Sequence, residues 1–138
     1  MDHLLFIVYP IEVWERLRHS DHLKIGKIGE EIAVNIVKDM GYRVLDKNYR
    51  CSLGEIDIVA IDDDVLVFIE VKTRRHSIAY AKESISKRKM RKLMSLASFY
   101  IKQKGYYNKK VRFDVLAIYL KDKDIQFELI KDAFCYES

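Results

Sequence analysis

Proline and glycine are scarce in this 138-residue chain, one and five respectively, which excludes a collagen-like, low-complexity or disordered protein. Cysteine is as rare. Cys51 and Cys135 stand far apart without the spacing of a metal site, so neither a disulfide scaffold nor a zinc cluster is expected. Both read as thiols of a reducing cytoplasm. No apolar run approaches the roughly 20 residues of a membrane span. The stretch Leu4–Tyr9 follows Asp2 rather than basic residues and is too short for a signal peptide. Acids are missing from one region. Between Lys72 and Arg112, 14 Lys and Arg face Glu83 alone, a local charge of +13; the other 11 bases and 20 acids leave the remainder at −9. What is present, 49% hydrophobic and 33% charged residues in a length typical of one domain, suffices for a core without covalent staples. The charge division predicts a face for a polyanion beside an acidic region able to hold cations; the plainer alternative is a lysine-rich solvated helix.

Hydrophobic periodicity organises the chain from about residue 23 onward, with no repeat and no linker. Residues 1–22 therefore read as an N-terminal extension and 23–138 as a single domain. Ile25, Ile28, Ile32, Ala33, Ile36, Val37 and Met40 follow helical spacing, and Gly41 stops them. Three strand-like runs follow: Tyr42–Tyr49, Glu55–Ile61 and Val65–Lys72. A second helix is predicted over Lys82–Lys104, with Ile85, Leu93, Leu96, Ala97, Tyr100 and Ile101 inward and Gly105 at its end. Two more strands, Val111–Leu120 and Ile125–Ile130, are joined by the polar turn Lys121–Asp124. The long helical crossover makes the strand after it parallel to one already in the sheet. The expected fold is α/β, with a mixed sheet flanked by helices. Ile11–Arg18 fits a short amphipathic helix after Pro10, with no function attached to it.

Charged residues avoid strand interiors, because desolvating an unpartnered charge costs several kcal/mol. Asp57 nevertheless interrupts the apolar run Ile56–Ile61, and Glu70 and Lys72 interrupt the run that begins at Val65. Glu70 and Lys72, two residues apart, share a strand face. If Asp63 and Asp64 form a two-residue hairpin turn, Asp62 pairs with Val65 and Asp57 falls opposite Glu70, with Cβ atoms roughly 5 Å apart. A four-residue loop keeps that register and a three-residue loop breaks it. Two carboxylates that close raise each other's pKa unless a cation lies between them, and oxygen ligands suit Mg²⁺ or Mn²⁺, with Lys72 alongside. The alternative is an ion pair of Lys72 with an acid on a sheet face. Asp62, Asp63 and Asp64 read as solvated turn residues. On the first helix, Glu30 flanks the apolar face centred near Ile36 and reaches over the sheet, whereas Glu31 points nearly the opposite way. A surface acid suited to the helix dipole is the alternative for Glu30.

Gly26-x-x-Gly29-Glu30-x-x-Ala33, Gly41-Tyr42, Asn48-Tyr49-Arg50, Gly54-Glu55-Ile56-Asp57-Ile58, Phe68-Ile69-Glu70-Val71-Lys72-Thr73-Arg74 and Arg112-Phe113-Asp114-Val115 resemble the successive motifs of the YraN family of uncharacterised bacterial proteins. The resemblance spans about residues 24–120. That family is similar to PD-(D/E)xK nucleases and archaeal Holliday-junction resolvases. The resemblance implies a restriction-endonuclease-like αβββαβ core with Glu30, Asp57, Glu70 and Lys72 as the catalytic set. Asp57, Glu70, the main-chain carbonyl of Val71 and Glu30 would hold Mg²⁺ or Mn²⁺, and Lys89 matches a basic position of the second helix. The chain departs from the family at Ile78-Ala79-Tyr80-Ala81, where Phe-Gly is usual.

The resulting expectation is a cytoplasmic, metal-dependent endonuclease-like protein that hydrolyses phosphodiester bonds in DNA, branched or structured DNA by analogy, with no membrane association. Arg74, Arg75, Lys87, Lys89, Arg91 and Lys92 would hold the DNA backbone. No recognised base-reading element is present, so sequence specificity should be low. Related resolvases act as dimers, which makes a homodimer a candidate assembly. The alternatives are a non-catalytic nucleic-acid-binding protein on a nuclease fold and a protein–protein adaptor in DNA repair or uptake.

Overall fold

The computed structural model describes residues 3–8, 22–74, 85–121 and 124–134. Helix α1 (His22–Asp39) buries Ile28, Ile32, Ala33, Ile36 and Val37, the face its periodicity marks. Gly41, at φ 95°, ends it, and the Tyr42 N–H closes the last turn on the Val37 carbonyl at 3.0 Å. Strands β2 (Arg43–Cys51), β3 (Gly54–Asp62) and β4 (Val65–Arg74) follow. Next come helix α2 (Lys87–Lys104) and strands β5 (Lys110–Lys121) and β6 (Asp124–Phe134). The expected αβββαβ order is realised.

Three boundaries differ from the sequence reading for local reasons. Ile85 is not an inner position of α2, because Ser86 is extended (φ −79°, ψ 162°) and its side chain accepts the Lys89 N–H, which starts the helix at Lys87. Residues 82–84 lie outside the described residues. Strand β6 continues beyond Ile130 to Phe134 through an irregularity at Asp132, whose φ of 54° and N–H donated to Asp114 Oδ1 (3.0 Å) carry the chain past it. The run near the N-terminus forms a strand, β1 (His3–Val8), antiparallel to β6 from His3–Leu129 to Val8–Asp124. Ile11–Arg18 lies outside the described residues, as does Cys135.

The six strands form one sheet in the order β1-β6-β5-β4-β3-β2. Its parallel pair is β4–β5, from Val65–Lys110 to Arg74–Tyr119, and α2 is the crossover between them. The β3–β4 hairpin turns at Asp63 (φ 54°) and Asp64, with Asp62 opposite Val65 and the ladder running to Ile58 opposite Ile69; the register is the one expected from the sequence, but the ladder stops one pair short of the expected Asp57–Glu70 pair. Alternate strand residues bury on opposite faces. Ile58, Ala60, Val67, Ile69, Leu116 and Ile118 pack with α1. Val59, Ile61, Leu66, Phe68 and Phe113 pack with Leu93, Leu96, Ala97 and Tyr100 of α2.

A buried polar cluster fastens the hairpin end of the sheet. The Arg112 guanidinium donates to Asp114 through Nε (2.8 Å) and Nη2 (3.0 Å), and to Asp62 Oδ2 (2.9 Å) and the Tyr42 hydroxyl (2.7 Å) through Nη2. Asp114, 1% exposed, also receives the Tyr42 hydroxyl at 3.0 Å. Asp62 is thus a structural partner of Arg112, while Asp63 and Asp64 are exposed turn residues.

Candidate metal centre

Alternation along β3 breaks at Asp57. Ile58 packs on the α1 side, but Ile56, which regular pleating would put beside it, joins the α2-side core. Across β2, Asn48 sits between the pairs Lys47–Ile58 and Tyr49–Ile56 with φ 51°, a left-handed residue that adds local twist. The β3–β4 pairing ends at Ile58–Ile69, and just beyond it the Val71 N–H donates to the Asp57 side chain (Oδ2, 2.8 Å). Asp57 therefore stands where the two strands part.

Glu30 comes to this fork from α1 because the helix lies close to β4. A Cβ on Gly29 would overlap the Thr73 side chain, so glycine sets the approach of the two backbones. One carboxylate oxygen from each of Glu30, Glu55 and Asp57 lies within 4.8 Å of the others. Asn48 joins this group from β2: with its amide oriented to suit its neighbours, it donates to Glu30 Oε2 (2.9 Å) and Glu55 Oε1 (3.2 Å). Arg50 pairs with Glu55 at 3.3 Å. Glu70, 6% exposed, lies between two ammonium groups, with Lys72 Nζ 3.6 Å and Lys89 Nζ 3.7 Å from its Oε1. Glu30, Asp57, Glu70, Val71, Lys72 and Arg74 line one cleft of about 310 Å³ together with Gly26 and Thr73.

The electrostatics follow from this crowding. Burial pushes the Asp57 carboxyl up to about 7, the Glu70 carboxylate adds to the rise, and the Val71 N–H opposes it; Glu30 and Glu55 raise it further. Glu30 is also raised, by burial first and then by Glu55, with Arg50 drawing it back. Asp57 and Glu30 thus resist ionisation by themselves, and a cation between them relieves that. An all-oxygen donor set of this kind matches the ligand chemistry of hard divalent ions.

Of the residues singled out from sequence, Glu30, Asp57, Glu70, Val71 and Lys72 converge on the cleft, with Arg74 at its border. The Arg74 guanidinium donates to the Thr73 carbonyl at 2.8 Å. Lys89 reaches the cleft from α2, whereas Lys87, Arg91 and Lys92 lie on exposed turns of that helix. Glu31 is exposed. Arg75 and the segment Ile78–Ala81 lie outside the described residues. Glu55 and Asn48 belong to the cluster although sequence reasoning passed them over. The two-residue spacing of Glu55 and Asp57 is the only signal for the first, and a left-handed asparagine leaves none.

Residues 29–118 match the uncharacterised protein family UPF0102, the YraN family. The chain belongs to it. This UPF0102 chain is 41% identical over 118 residues to a UPF0102 protein of Syntrophus aciditrophicus, covering 85% of itself and 93% of the relative. It is 44% identical over 112 residues to one from Moorella thermoacetica (79% and 93% covered) and 46% over 121 residues to one from Clostridium botulinum strain Kyoto (84% and 98%). The relatives' names state no activity. Among the described residues, no helix is long and apolar enough to cross a membrane.

Proposed function

We propose that this UPF0102 protein is a divalent-metal-dependent endonuclease acting on DNA. The observation that carries the reading is the meeting of Glu30, Asp57 and Glu70 with Lys72 at the fork between β3 and β4, where acids displace the apolar residues that a strand interior calls for. Asp57, Glu70, the Val71 carbonyl and Glu30 would hold Mg²⁺ or Mn²⁺, and Glu55 extends the donor set. The bound ion supplies Lewis-acid polarisation of a phosphate and a lowered pKa for water. Lys72 orients the attacking water and offsets the negative charge that develops on the phosphate. Arg74 and Lys89, at the edge of the same cleft, hold the flanking phosphates, and the exposed bases of α2 extend that track. With no base-reading element among the described residues, structure rather than sequence selects the substrate.

One observation favours the non-catalytic alternative: Lys72 and Lys89 already neutralise Glu70. Incubating the protein with four-way junction, flap, single-stranded and duplex DNA, in Mg²⁺, Mn²⁺ or EDTA, separates the readings. Nicking of at least one structure that stops in EDTA supports the nuclease. Salt-sensitive binding of all four without nicking supports a binding protein, and absence of binding points to a protein–protein adaptor.

A further inference from the structure

Helix α2 carries seven Lys and Arg and no acid. Lys89 turns toward Glu70, but the opposite side of the helix has its own organisation. Arg91, Ser95, Ser98 and Lys102 recur there at helical spacing. With Met94, Phe99 and Leu53 of the β2–β3 turn they border a depression of about 510 Å³. Its ends are basic and its walls apolar, and the short serines leave the space between. Exposed apolar residues scattered singly are ordinary. Here Leu53 (44% exposed) and Phe99 (40%) share one depression with two cations.

We infer that this depression docks single-stranded DNA, with a base stacked on Phe99 and neighbouring phosphates on Arg91 and Lys102. The ring needs the face of an unstacked base, which duplex DNA does not offer; the cations need a polyanion, which an apolar peptide is not. The inference rests on the nuclease reading for the route of the strand. Leu53 lies two residues before Glu55 of the acidic cluster. Phe99 lies ten residues beyond Lys89, about 15 Å along the helix axis and round toward its other side, so that roughly five nucleotides or more at about 3.4 Å each span the two. A single-stranded arm held here selects branched or flapped DNA over plain duplex.

Fluorescence anisotropy in EDTA tests this without cleavage, using labelled oligothymidylate, a blunt duplex, and duplexes with arms of about two or about six nucleotides. Phe99→Leu keeps apolar bulk and removes the ring, and Phe99→Trp restores one. The expected result is a loss of about fivefold or more for oligothymidylate with Phe99→Leu, recovery with Phe99→Trp, and little change for blunt duplex. The longer arm should bind more tightly than the shorter in wild type and lose that advantage in Phe99→Leu. Lys102→Glu, at an exposed position, should weaken oligothymidylate binding whether or not Phe99→Leu folds. Equal binding by wild type and Phe99→Leu, which is what an apolar protein-docking site predicts, overturns the inference, as does an unchanged Lys102→Glu. Because metal is absent throughout, failure here leaves the nuclease reading standing, and failure to cleave DNA leaves this result standing.

Discussion

Asp57→Asn should stabilise the metal-free protein. The carboxyl stands at about 7 against an ordinary 3.8, a displacement worth at most about 4 kcal/mol at roughly 1.4 kcal/mol per decade. Partial contact with solvent, and the polar amide left behind, reduce the expected gain to about 1–2 kcal/mol, or about 3–8 °C in Tm. The amide oxygen can still accept the Val71 N–H, so no buried donor is orphaned. The pH dependence has a definite sign. A carboxyl raised on folding contributes stability that is full below about pH 4 and is lost as pH rises through about 7. The advantage of Asp57→Asn over wild type should therefore be largest at pH 8 and shrink toward pH 5. Mn²⁺ should reverse the ranking, raising the wild-type Tm and leaving the variant unmoved, with the wild-type response weakening as pH falls below 7. Melts at both pH values, with EDTA or Mn²⁺, check each point. An Asp57→Asn protein that melts lower in EDTA, beside a wild type indifferent to Mn²⁺, would show Asp57 to be an ion-pair partner rather than a crowded metal ligand.

Three further outcomes follow from the contacts. DNA binding should fall steeply with salt, with a log–log slope of roughly −3.5 to −5.5 for about 4–6 phosphate contacts, and Lys89→Ala and Arg91→Ala should each reduce it by about 0.9 in a filter-binding titration. Arg112→Ala should lose about 3 kcal/mol or more in urea unfolding, since it strips the guanidinium from the buried Asp114 carboxylate and from Asp62. Gly29→Ala should cost about 1–3 kcal/mol by forcing α1 off Thr73, and should weaken the Mn²⁺ response by moving Glu30; an unchanged response would separate Glu30 from the centre.

The strand half of the centre is legible in the sequence for a simple reason. Acids and a lysine in otherwise apolar strands need a purpose, and two aspartates at a turn fix which residues face one another. Helical periodicity likewise separates Glu30 from Glu31. Glu55 is different: an acid beside Gly54 at the start of a strand is ordinary, its two-residue spacing from Asp57 is a faint signal, and β3 loses its alternation there opposite a left-handed Asn48. Such a break is a tertiary event without a compositional mark. Strand β1 is hidden for another reason, since a short apolar run becomes a strand only when an edge such as β6 is there to receive it. The continuation of β6 past Ile130 depends on the Asp114 carboxylate meeting the Asp132 N–H, a contact between residues distant in sequence.

Single-turnover cleavage of a labelled four-way junction in Mn²⁺, by wild type, Asp57→Asn and Lys72→Ala, tests the metal-dependent centre most directly, provided that all three bind the junction in EDTA. A metal centre on Asp57 assisted by Lys72 requires strand cleavage by wild type, none by Asp57→Asn, and a rate at least about 100-fold lower for Lys72→Ala. Cleavage that survives Asp57→Asn, or a wild type that binds the junction and leaves it intact in both Mg²⁺ and Mn²⁺, would contradict it.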